Sequence, residues 1–445
     1  MTKHNRNQLI ELGAETLADT LLNLCQTSSE ADNVVKRLLA TPTENIKRFK
    51  AKLAGLKRGR KFIDWNETAH FAAELKQLLD DLEAGVKDPY LGAEWVARFF
   101  ETDSSIFERC DDSNGEIGYV FEYYACNLFI HFANQCEDKA KIAQLVITLN
   151  EENEYGVRNC LFDRASEYLS ETTLRFITDS LWHLLENESN ENKKRQWRFA
   201  IQSVAKQLND ALLFENAALT NDKMYSALWL DIASVYLTAG KPDIALTRLK
   251  NIPNDEVFQQ AERYQLYLNI YHELGDFNAE TDMAWQIFNA QRQPETLTQL
   301  LDIIGHEQRE SVMNGAIKTI LQEPKLSYAD ADFLLKTNAI DALEYYLLQR
   351  VDQLNGSLYG RLVPLAQELE KQHKYLISSL IYRALIDVIL EKTQSKYYHH
   401  AAKYLNQLNQ LEQFINDWQT WKPHSVYSQT LHEQHKRKSA FWSKL

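Results

Sequence analysis

Trp229-Leu-Asp-Ile-Ala-Ser-Val-Tyr236-Leu-Thr-Ala-Gly240 and Tyr264-Gln-Leu-Tyr-Leu-Asn-Ile-Tyr271-His-Glu-Leu-Gly275 are two versions of one pattern, set 35 residues apart. In the first, Trp229, Ile232, Ala233 and Tyr236 recur at three- and four-residue intervals and so line one face of a helix. Gly240 ends that helix, because glycine takes the left-handed conformation of a helix C-terminus without steric cost. Ala245 and Leu249 then start a second apolar face. The unit is helix, tight turn, helix, and the small side chains of Ala233 and Ala245 let its two helices approach closely. Hairpins of this kind cannot bury their apolar faces singly, so neighbours must stack on both sides. The stretch from Ser226 to Phe288 therefore predicts an all-α chain, a helical-repeat solenoid of antiparallel helix hairpins.

Composition agrees. Among 445 residues only 14 are Gly and 8 are Pro, too few for a turn-dense β architecture. The commonest residues are strong helix formers. A chain this long buries a large core without a metal or disulfide staple. Its net charge of −13 repels nucleic acid and anionic membrane over the surface as a whole. Cys25, Cys110, Cys126, Cys136 and Cys160 are odd in number and lack CxxC spacing, which points to reduced thiols. The N-terminus leads into an amphipathic helix rather than an apolar signal core. The most apolar run, Tyr375 to Leu390, carries Arg383 and Asp387 and is no membrane span. The expectation is a soluble cytoplasmic protein.

Helix starts are explicit along the chain. Thr41-Pro42-Thr43-Glu44 offers a cap, a first-turn proline and a capping-box glutamate. Asp64-Trp65-Asn66-Glu67 reads as a second start of the same kind, and Asp88-Pro89 as a third. A polar turn at Asp111–Gly115 precedes a long helix over 116–135. Polar breaks near 151, 170 and 188–193 divide further helices. Pro253, Pro294, Pro324 and Pro423 punctuate the rest. Residues 1–220 read as an irregular helical N-terminal region, and 221–445 as a hairpin region closed by a C-terminal capping tail.

Trp229, Ala233, Tyr236, Gly240, Ala245 and Leu249 resemble the tetratricopeptide repeat, and Tyr264, Leu268, Tyr271, Gly275 and Ala284 repeat part of it. Glu280 stands where that pattern has a small residue. The resemblance implies a groove for another protein. Leu230 and Ser234 occupy the places where peptide-clamp repeats carry basic or amide side chains, so capture of a C-terminal carboxylate is not implied. Lys57-Arg-Gly-Arg-Lys-Phe-Ile-Asp-Trp65, Tyr398-His-His-Ala-Ala-Lys-Tyr404 and His435-Lys-Arg-Lys-Ser-Ala-Phe-Trp442 together resemble an uncharacterised bacterial helical family. Similar regions occur beside SWIM-type zinc fingers, but the Cys-x-Cys and Cys-x-His ligands of that finger are missing here. This second resemblance implies no activity and no site.

Two segments are candidate binding sites. Lys47, Arg48, Lys50, Lys52, Lys57, Arg58, Arg60 and Lys61 lie between Glu44 and Asp64 with no acid among them. Such a concentration suits phosphates, an acidic partner or an acidic patch of the same chain; the plain alternative is a solvated face around the stripe of Ile46, Phe49, Leu53 and Leu56. In the tail, Lys436, Arg437 and Lys438 precede Phe441 and Trp442, a basic helix whose aromatic end is expected to fold back and close the last hairpin. His432 and His435 have metal-ligand spacing but no third ligand. No phosphate loop, dinucleotide fingerprint or nucleophile elbow is present. The pairs Glu67/His70 and Glu370/His373 resemble half of a di-iron set, yet Glu67 is expected as a capping residue. No cofactor and no metal are expected. The function expected is a non-enzymatic interaction scaffold holding another protein. The alternatives are nucleic-acid association through 47–61 and an enzyme with an unrecognised site.

Overall fold

The computed structural model describes residues 3–221 and 223–445. These form helices joined by short loops, and the only β-type pairing among them is an isolated bridge between Ile63 and Cys110. The chain is all-α, and helices adjacent in sequence pack as pairs. It divides into two compact units, Met1–Phe258 and Gln259–Leu445.

In the first unit, helix Pro42–Leu56 packs on Thr68–Gly85, Pro89–Phe100 on Cys126–Gln135, and Glu171–Asn187 on Glu191–Gln207. The Thr41 capping box forms: the Thr41 hydroxyl accepts from the Glu44 N–H, and the Glu44 carboxylate accepts from the Thr41 N–H at 2.7 Å. Asp88 caps its helix through the Leu91 N–H at 2.8 Å. The start expected at Asp64 differs. The helix begins at Thr68 without a side-chain cap, because the Glu67 carboxylate is drawn off to Lys61 at 3.0 Å. Residues 9–25 alternate with helical period, but the helix is divided at Gly13, which takes φ +83° between Lys3–Glu11 and Ala14–Cys25.

Gly92 sets the closest approach in this unit. A Cβ built there would lie 2.4 Å from the Phe132 ring, which is buried. Alanine is the better helix former by about 1 kcal/mol, but forcing a methyl group into a filled contact costs about 1–3 kcal/mol. Packing therefore wins, and Gly92→Ala is expected to lower stability in urea unfolding; a variant more stable than wild type would contradict this contact.

The first hairpin of the opening pattern, Ser226–Thr238 with Pro242–Leu249, belongs to the first unit. Its ties run backwards. Glu215, on helix Ala211–Leu219, is buried and accepts hydrogen bonds from the Tyr236 hydroxyl at 2.6 Å and from the Arg248 guanidinium. The break between compact units accordingly comes after Phe258, later than the boundary near 220 read from the sequence. Gly240 and Gly275 end their helices with φ of +69° and +68°.

In the second unit, Gln260–Leu274 packs on Phe277–Ala290, Tyr328–Lys336 on Ile340–Leu348, and Tyr359–Lys371 on Tyr375–Glu391. Helix Tyr375–Glu391 packs on both Tyr359–Lys371 and Tyr398–Leu411 and is the most thoroughly buried helix of the unit. Of its charges Glu391 is exposed, Arg383 is buried and Asp387 is half-buried. The Arg383 guanidinium lies between the Trp418 and Tyr427 rings, at 4.5 and 4.6 Å, and donates to the Lys422 carbonyl at 2.7 Å. Burial pushes its pKa down to about 10. Asp387 accepts from the Tyr427 hydroxyl at 2.8 Å, and burial pushes its carboxyl up. No helix of the described residues is long and apolar enough to cross a membrane.

Candidate functional site

Half of the cations in segment 47–61 meet a carboxylate of the same chain. Arg48 and Lys52 face Asp81, at 3.7 and 3.9 Å, and that carboxylate is buried on the neighbouring helix. Burial pushes the Asp81 carboxyl up, against the pull of Lys52, Arg48 and Arg37. Lys57 reaches Glu101 at 2.9 Å, Lys61 reaches Glu67, and the Lys50 ammonium lies 4.6 Å from the centroid of the Trp95 ring. The Arg58 guanidinium turns back to the Ala54 carbonyl at 3.0 Å. Lys47 and Arg60 stand exposed with no ion pair among the described residues. Beside Arg58 and Arg60, Phe62 and Trp65 are 54% and 65% exposed. The surface pairs at Lys57 and Lys61 hold little energy and exchange readily, whereas the Asp81 contacts are part of how the helix packs.

A second feature of the first unit was not read from the sequence. The helix over 116–135 contains a π turn at Val120–Ala125. In a regular α-helix Tyr119 and Tyr124 would point about 140° apart at 100° per residue. The wider turn brings both, with Tyr123, to one side. The Tyr119 and Tyr123 rings stack at 5.0 Å, and Tyr124 meets them edge-on at 5.6 and 5.4 Å. Lys76 donates to the Tyr124 hydroxyl at 3.3 Å and sits 4.3 Å from its ring centroid. Tyr119, Tyr124 and Lys76 wall a hollow of about 450 Å³ floored by Ala69, Ala72 and Ala73. Cys126, on this helix, and Cys160 are free thiols. Hydrogen bonding from Cys160, with the Arg164 guanidinium 3.8 Å from the sulfur, holds the Cys126 thiol below its ordinary range.

In the second unit a groove of about 600 Å³ runs between helix Tyr328–Lys336 and helix Tyr359–Lys371. Asp332, Lys336 and Arg361 line it exposed, with no ion pair among the described residues, and Asn338 and Gln372 add carboxamides. Leu335, Ile340 and Leu365 give it an apolar strip. Pro364, inside the second of these helices, has no N–H, so the carbonyl of Gly360 has no i+4 donor; both residues line the groove. The groove thus offers charges of both signs and amides along an apolar strip.

The tail divides by character. Lys436 and Arg437 are exposed and Lys438 half-buried, while Phe441 is fully buried against Tyr398, ring centroids 6.1 Å apart. Trp442 donates its indole N–H to the His435 carbonyl at 2.9 Å and meets the His432 ring edge-on at 4.7 Å.

A sequence family described as a family of unknown function (DUF6880) matches residues 1–198 and 183–444. The chain belongs to this family. No curated protein and no solved structure matches it. In this DUF6880 chain no group of three or more His, Cys, Asp or Glu among the described residues is placed to hold a metal ion. Glu370, half of one Glu-x-x-His pair, accepts instead from Ser378 and Gln407, at 3.2 and 2.7 Å.

Proposed function

We propose that this DUF6880 chain is a non-enzymatic interaction scaffold of stacked, tetratricopeptide-like helix hairpins, and that it holds an extended segment of another protein. The observation that carries the reading is the groove between Tyr328–Lys336 and Tyr359–Lys371, whose Asp332, Lys336 and Arg361 have no ionic partner among the described residues. Charges left unpaired along an apolar strip favour a partner of complementary pattern and select its register. Leu9, Ile10, Leu12, Leu22 and Leu24, exposed near the N-terminus, add apolar surface of the kind that marks association.

A second reading, nucleic-acid association, rests on Arg58 and Arg60 beside the exposed rings of Phe62 and Trp65. One experiment separates the two. The intact chain and its Lys336→Glu/Arg361→Glu variant are used for affinity capture from the native host, and each eluate is analysed for protein and for nucleic acid. A protein recovered with wild type and lost, by about tenfold or more, with the variant is the expected result. Equal recovery by both chains sinks the groove reading, and salt-sensitive nucleic acid in both eluates favours the second.

A further inference from the structure

A different cavity in the second unit has the character of a small-molecule site. It measures about 360 Å³ and lies where helix Tyr375–Glu391 ends and helix Tyr398–Leu411 begins. Tyr359, Tyr397 and Tyr404 supply three aromatic walls, and Val388 and Ile389 an apolar floor. The cavity is held in shape by backbone packing. A Cβ built on Gly356 would meet the Ala384 carbonyl oxygen at 2.0 Å, so only glycine lets the loop after Leu354 press onto the long helix. Tyr404 is braced from behind by the Tyr382 ring at 5.5 Å.

The polar groups at this cavity are cationic or neutral. Lys392 lines it and donates to the Ser357 hydroxyl at 2.8 Å, with no carboxylate in ion-pair range among the described residues. His400 lines it as well, its ring tilted against that of His399 with centroids 3.9 Å apart. Lys396 lies 4.8 Å from the centroid of the Tyr397 ring. No acid is among the residues that line the cavity, and Glu391 is the single acid from residue 388 to 404. In a chain of net charge −13 such a local excess of cations around aromatic walls is selective for an anion. A volume of this size fits an aromatic ligand of two or three rings.

We propose that this cavity binds a small aromatic or heteroaromatic organic anion, its ring between the tyrosines and its carboxylate, sulfonate or phosphate against Lys392. Rings stack on tyrosine faces in offset or edge-on arrangements, and the ammonium contributes a charge-assisted hydrogen bond. The probe for the test is 1-anilinonaphthalene-8-sulfonate, titrated into the intact chain and followed by fluorescence. Its neutral analogue N-phenyl-1-naphthylamine serves as control. Lys392 is exposed, so Lys392→Glu leaves the fold in place, which circular dichroism verifies. The expected result is saturable binding of the anion whose Kd rises about tenfold or more in Lys392→Glu and again in Tyr397→Ala, with weaker binding of the neutral analogue. An unchanged Kd in Lys392→Glu, equal affinity for the neutral analogue, or no saturable binding by wild type overturns the proposal.

Discussion

Asp103→Ala is expected to destabilise the first unit by about 3–5 kcal/mol, the largest loss any single substitution there should produce. Asp103 is fully buried, and it receives both forks of Arg158: Nη2 donates to one carboxylate oxygen at 2.6 Å and Nε to the other at 2.8 Å. The remaining arm of the guanidinium donates to the Leu149 carbonyl at 2.6 Å. Asn153, itself buried, accepts from the Arg158 backbone N–H and ties the same turn to Asn159 at 2.7 Å. The pair therefore joins the short helix Asp103–Phe107 to the turn that follows Lys139–Asn150. Alanine leaves a desolvated cation with nothing to answer it, and that penalty, rather than the attraction lost, sets the magnitude. In Asp103→Leu/Arg158→Met both charges go together, and most of the loss should be recovered, because apolar side chains of similar volume replace buried ion pairs at little cost. The two compact units need not unfold together, so urea unfolding should be followed by hydrogen exchange within residues 99–162. A double variant as unstable as Asp103→Ala would show that the site depends on the ion pair's geometry and not on charge compensation.

The helices were legible because their signals are local. Thr41 and Glu44, or Gly240 and Gly275, declare a start or a stop within three or four residues of the event. What was not legible depends on partners far along the chain or on departures from helical period. Asp103 and Arg158 lie 55 residues apart, and neither carries a mark that points to the other. Asp81, which answers Arg48 and Lys52, comes from the next helix, and Glu101, which answers Lys57, from the turn after Pro89–Phe100. Only Glu67, six residues from Lys61, could have warned that the basic segment was partly self-neutralised. The tyrosine cluster was hidden by the period itself: read at 100° per residue, Tyr119 and Tyr124 fall on different faces, and the π turn that unites them has no sequence signature as plain as a glycine or a cap. In the pairs Tyr345-Tyr346 and Tyr397-Tyr398 the period did suffice, one ring of each standing in solvent and its neighbour in the core.

The same reasoning separates the two halves of the C-terminal tail, and it yields the second large effect. Phe441 is fully buried, packed edge-on against Tyr398 and against Trp442 at 4.8 Å. Emptying such a site costs about 3–5 kcal/mol for Phe→Ala, the transfer of the ring plus the cavity left behind. For a unit of this size that corresponds to a fall in Tm on the order of 10 °C. Lys436 and Arg437, five and four residues earlier, touch nothing that burial makes costly, so Lys436→Glu/Arg437→Glu should stay within about 0.5 kcal/mol of wild type. If the tail closes the apolar end of the unit, truncation after Gln434 must behave like Phe441→Ala or worse, because it uncovers Tyr398 and also strips the Trp442 ring from His432. Thermal unfolding of the three variants decides the matter. The expected order is charge reversal near wild type, then Phe441→Ala, then truncation lowest, with the loss read in the transition of residues 259–445. A Phe441→Ala variant melting with wild type would mean that the aromatic end rests on the unit without holding it together, and the basic residues would then have to be the reason the tail is there.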